Sequence, residues 1–83
     1  MLGRSICLVW RVSAHNDDVT SFEVVVYLLM TVCSFSFDDA LAVTRRIERD
    51  GSVDVAAFDE RGEAEALVVT LLRRGVHAMV RSA

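Results

Sequence analysis

The sequence contains no proline and no lysine, only two cysteines and four glycines, and aromatic residues make up 7% of it. Cys7 and Cys33 form no CxxC pair, and only His15 and His77 could assist them. That excludes a disulfide framework and a zinc site of ordinary spacing. No metal or cofactor is expected, and reduced thiols suit a cytoplasmic setting. Long hydrophobic runs are missing too. The longest apolar stretch, Val24 to Cys33, lies between Glu23 and Ser34. It is about half the length needed to cross a bilayer, which takes ~20 apolar residues in a helix. The opening residues carry one arginine and a short apolar run but no small-residue cleavage site, so neither export nor a membrane partner is expected. Positive charge is scarce: nine basic residues, all arginine, face twelve acids, for a net charge of −3. A nucleic-acid binder would need a basic stripe to displace counterions from phosphates, so nucleic acid is excluded as a partner and a cationic one fits better.

What the chain does have is core material. At 83 residues, of which 53% are hydrophobic, it reads as one globular domain over 1–83, with residues 1–7 a short segment ahead of it. Without proline, punctuation falls to glycine and polar clusters. Thr20-Ser21-Phe22-Glu23 has the form of a capping box, in which Thr20 caps a new helix and Glu23 reaches back to it. Phe22, Val25, Val26, Leu29, Val32 and Cys33 then recur at helical spacing. The Val24-Val25-Val26 run leaves a strand open as the alternative, and the cap decides for helix. A second helix begins at Ser36 with Asp38 and Asp39 in its first turn, carries Arg45, Arg46 and Arg49 near its end and stops at Gly51. A third runs from Asp59-Glu60 to Arg73-Arg74-Gly75 with the same polarity. The arginines at both ends read as helix-end charges. Alternating segments at Leu8–Ala14, Ser52–Phe58 and Val76–Arg81 read as strands, with Val53, Val55 and Ala57 on one face and Val76, Ala78 and Val80 on another. The order β-α-α-β-α-β predicts an α+β two-layer sandwich, with a three-stranded antiparallel sheet and three helices on one face.

From His15 to Asp39 there are five acids and not one arginine. Within that stretch Asn16-Asp17-Asp18 sits between the first strand and the first helix. A carboxylate beside an amide oxygen can accept from an ammonium group, which has three donors. The same residues also build turns and decorate helix N-termini, so the residue types alone leave both readings open. His15 near Asp17 does not make a catalytic pair, because no nucleophile with a supporting third group accompanies it. Cys33 reads as core and His77 as structural.

Asn16-Asp17-Asp18-Val19-Thr20, Val24-Val25 and Leu29, Ala40, Gly51 and Ala64-Glu65 resemble the bacterial ClpS adaptor family, over about Trp10 to Val80. The resemblance implies a small α/β adaptor that is not an enzyme. It would bind N-degron proteins through a free N-terminal hydrophobic residue and hand them to a Clp AAA+ unfoldase by way of the unfoldase N-domain. On the family pattern Asn16 and Asp17 hold the substrate α-amine. Thr20, Phe22, Val25, Thr44, Ile47 and Met79 surround the first side chain.

The departures from that pattern lie inside the site. Ser21 and Phe22 stand where the family has proline and a methionine gatekeeper, Thr44 replaces a second methionine, and Glu48 replaces the histidine that helps hold the amine. A glutamate also accepts from an ammonium and adds charge, so Glu48 joins Asn16 and Asp17 as an expected amine ligand, with a stronger dependence on salt. Glu48 can equally be one of the charges of a solvated helix surface. Two other roles use the same fold: a regulator that occupies a Clp N-domain without carrying substrate, and a structural interaction module.

Overall fold

A computed structural model describes residues 9–16 and 20–82. Its elements are β1 (Trp10–His15), α1 (Phe22–Thr31), α2 (Phe37–Asp50), β2 (Ser52–Phe58), α3 (Arg61–Arg73) and β3 (His77–Ser82). The fold is α+β, in the expected order. β1 lies in the middle of the sheet, antiparallel to β2 on one side and β3 on the other.

Strand alternation separates the two faces of this sheet. Val12 and Ala14 of β1, Val53 and Val55 of β2 and Ala78 of β3 are buried in one core with Val26, Leu28 and Leu29 of α1, Ala40 and Ile47 of α2 and Ala64 and Leu71 of α3. Arg11, Ser13 and His15 of β1 lie on the opposite face, in register with Arg81, Met79 and His77 of β3. Met79 is 51% exposed.

One irregularity alters the alternation. Val12 pairs with Ala56 but Ser13 pairs with Asp54, so Val55 is an extra residue in β2, a β-bulge. Beyond it the odd-and-even pattern of that strand reverses. Ala57, expected beside Val53 and Val55, is exposed, whereas Ala56 and Phe58 pack partly against the core.

The helix ends follow their local chemistry, with one correction. Ser36 caps α2 by accepting from the Asp39 amide at 3.1 Å, and Gly51 ends that helix at φ 92°. At α1 the cap is Ser21, whose hydroxyl accepts from the Val24 amide at 3.3 Å, not Thr20. Thr20 is otherwise engaged: its hydroxyl donates to the carbonyl of Gly75. The cap role passes to the next hydroxyl along the chain, and Glu23 falls out of capping-box position. Gly75 has φ 93°, a conformation that favours glycine, and a Cβ there would sit 3.4 Å from the Thr20 hydroxyl.

Candidate functional site

Where β1 runs out, backbone and side-chain hydrogen bonds fix the chain on opposite sides of a hollow. The Asn16 amide donates to the Gly51 carbonyl at 2.8 Å, and the Gly51 amide donates in turn to the Ile47 carbonyl at 2.9 Å. Asn16 is thereby tied to the end of α2. Four residues later Thr20 is tied through Gly75 to the end of α3. α1 and α2 pack against each other and supply the remaining walls.

The hollow between these anchors is lined by His15, Asn16, Thr20, Phe22, Val25, Thr44, Ile47, Glu48 and Val76. Asn16, Thr20, Phe22, Val25, Thr44, Ile47 and Glu48, all expected at an N-terminus-binding site, therefore meet in one place. Asp17 lies outside the described residues. Met79 is not among the lining residues: its position in β3, in step with His77 and Arg81, turns it to the opposite face of the sheet. Val76 lines the hollow from that part of the chain. The period-two pattern that grouped Val76 with Ala78 and Val80 carried this information. His15 is the other lining residue that the sequence did not single out. Its signal was adjacency, since it immediately precedes Asn16.

The hollow is polar at its mouth and apolar within. Glu48 is exposed and brings a carboxylate to it. The neighbouring charges of α2 largely cancel, because Arg49 donates to Asp50 from Nε at 2.9 Å and from Nη2 at 3.1 Å. That hydrogen bonding holds the Asp50 carboxyl below its ordinary pKa. Thr44 is buried, with its hydroxyl donating to the Ala40 carbonyl of its own helix at 2.7 Å. It therefore offers no free donor to a ligand, and its polarity costs little in an apolar wall. Phe22 and Val25 are half-buried, and Ile47 is buried. The free volume is only about 20 Å³, on the order of a single water. A branched aliphatic or aromatic group needs far more, so one would enter only if a wall moved. Phe22, at the first position of α1, is one of the half-buried walls.

A hollow with a carboxylate at its rim and apolar walls thus lies at the junction of a strand and two helices. The sequence matches the family described as ATP-dependent Clp protease adaptor protein ClpS over residues 8–79, most of its length, and the chain belongs to that family. It is also similar to the ATP-dependent Clp protease adapter protein ClpS of Nautilia profundicola, with 33% identity over 49 residues. That match takes in 59% of this chain and 50% of the relative, so the aligned part spans about half of the relative's length. No helix among the described residues is long and apolar enough to cross a membrane.

Proposed function

We propose that this chain is a non-enzymatic adaptor that grips the free N-terminus of N-degron proteins and presents them, in the cytoplasm, to the N-domain of a Clp AAA+ unfoldase. The observation that carries the reading is the convergence of Asn16, Thr20, Phe22, Val25, Thr44, Ile47 and Glu48 on one hollow. Asn16, Asp17 and Glu48 hold the α-ammonium; Phe22, Val25, Ile47, Thr44 and Thr20 enclose the first side chain, with Val76 in place of Met79. Burying an apolar side chain there contributes roughly 1.5–3 kcal/mol. The charge-assisted hydrogen bonds to the amine add to this, and they decide selectivity. Acetylating the amine removes its charge and strands a desolvated carboxylate, and that desolvation outweighs the net value of the hydrogen bond itself.

Because the hollow is narrow, a first side chain enters when a wall moves, and in this reading Phe22 is the wall that swings aside. The affinity observed is the intrinsic affinity reduced by the fraction of molecules in which the hollow is open. The same tightness favours a second reading, in which the chain occupies a Clp N-domain and carries nothing. One titration separates the two. Labelled peptides beginning with Leu, Phe, Tyr or Trp are expected to bind and their N-acetylated counterparts to fail, and Asp17→Ala and Glu48→Ala each weaken binding of the free form. If free and acetylated peptides behave alike while the chain still associates with an isolated Clp N-domain, the regulator reading replaces the adaptor.

A further inference from the structure

The face of the sheet turned away from the helices carries charge of the opposite sign to the rest of the molecule. Arg11, Ser13 and His15 of β1, Ser52 and Asp54 of β2, and His77, Met79 and Arg81 of β3 share it by register. Arg46 of α2 reaches its margin over the β2 edge. Three arginines thus meet a single carboxylate there, in a chain whose net charge is −3. Arg81 donates to Asp54 at 2.6 Å, whereas Arg11 and Arg46 make no ion pair among the described residues, with Asp50 of the same helix the carboxylate within the field of Arg46.

The face is also concave. A hollow of about 440 Å³ is lined by Ser13, His15, Arg46, Asp54, Met79 and Arg81, among others, and is broadly open to solvent. Ser13 and His15 share a hydrogen bond of 2.9 Å between Oγ and Nε2, and the His15 and His77 rings stand edge to face at 5.4 Å. His15 belongs to both hollows. The acid-rimmed cavity at the end of the sheet and the arginine-lined hollow on its open face therefore meet at one side chain.

We infer that the open face is a second subsite for the same polypeptide, selecting chains in which acidic side chains closely follow the N-terminal residue. The inference rests on the adaptor reading and adds a substrate class to it. His15 lines both hollows, so a chain held by its positive end in the first can continue past it onto the open face. There it meets the Arg46 guanidinium, which can pair with a carboxylate through planar, two-pronged hydrogen bonds, and beside it Arg81, whose Nη2 is already given to Asp54 and which adds its remaining donors. The ligand that satisfies both hollows is dipolar: an ammonium and an apolar side chain first, aspartate or glutamate next. Basic residues in the same positions face Arg46 and are repelled.

Anisotropy titrations with three peptides, Leu-Glu-Glu, Leu-Ser-Ser and Leu-Arg-Arg at the head of a common labelled tail, test this against the N-acetylated form of each. The acidic peptide is expected to bind about two- to fivefold more tightly than the serine peptide at low salt, the range that one exposed ion pair supplies. The basic peptide binds more weakly than either, and the spread contracts at high salt. Arg46→Gln, a change on an exposed helix surface, erases the acidic preference and leaves the serine peptide unaffected. Arg81→Gln in an Asp54→Asn background, which avoids leaving a carboxylate unpaired, reduces the preference as well. Equal affinity for the acidic and serine peptides, with acetylation still abolishing both, overturns the subsite and spares the adaptor reading. An acidic preference that persists in both variants overturns the assignment to these arginines. If the acetylated acidic peptide binds as well as the free one, the first hollow is not gripping an amine, and the subsite falls with the adaptor reading.

Discussion

The two faces of this one sheet, built from alternate residues of the same three strands, divide the work of the molecule. On the helix-covered side Val12 and Ala14 are wholly inaccessible, and no polar side chain of the strands intrudes. On the other side the same strands present arginine, histidine, serine, one aspartate and the exposed Met79. Among the described residues the buried core is concentrated on the helix-covered face, and the other face carries the charge.

That division can be broken from the packed side with the largest effect. Leu71→Ala, at a fully buried position, is expected to cost about 3–5 kcal/mol in urea unfolding, since the helices cannot fully collapse onto the void. Met79→Ala on the open face should stay within about 0.5 kcal/mol. Comparable costs at the two positions would mean that the outer face is covered after all. Gly75→Ala comes next. Its left-handed backbone costs an alanine about 1–2 kcal/mol, visible as a lowered urea midpoint with an unchanged slope.

Phe22→Ala sharpens the comparison within the site. It costs less than the core change because the ring is only half-buried, and it opens the nearly closed hollow. Peptides beginning with bulky aromatic residues are therefore expected to gain affinity relative to the parent protein, and an unchanged preference would show that Phe22 is not the wall that moves. The smallest effect concerns Cys33. Burial raises its thiol pKa, so alkylation at mildly alkaline pH should be slow in the native state and rise to the rate of a free thiol on unfolding. The neutral thiol is the form that folding favours. Its contribution is therefore present below the unfolded-state pKa and is lost as pH rises through the higher native value.

Much of this arrangement was legible in the residues. The Ser36 cap, the Gly51 stop and the alternation in the second and third strands located three of the six elements, α2, β2 and β3. The Asn16 string and its distances to later landmarks pointed to the family and to most of the hollow. What stayed hidden depended on contacts between distant parts of the chain. Thr20 gave up its cap because Gly75, 55 residues away, accepts its hydroxyl. Met79 was assigned to the hollow by likeness, although its parity with Arg81 places it on the open face. The narrowness of the hollow depends on how Phe22, Thr44 and Val76 meet, and no pattern in one dimension encodes that.

The extra residue in β2 marks a place where the chain can be shortened without turning inside out. With Val55 removed, Asp54 would still face Ser13 and Ala56 would still face Val12, now as consecutive rungs, so only the packing of one valine is forfeited. Removing Ala57 instead would slide Phe58 opposite Arg11 and carry its ring from the oily side to the wet one. Single-residue deletions two positions apart in one strand thus differ in kind: the first trims the interior, and the second rewrites which side is which.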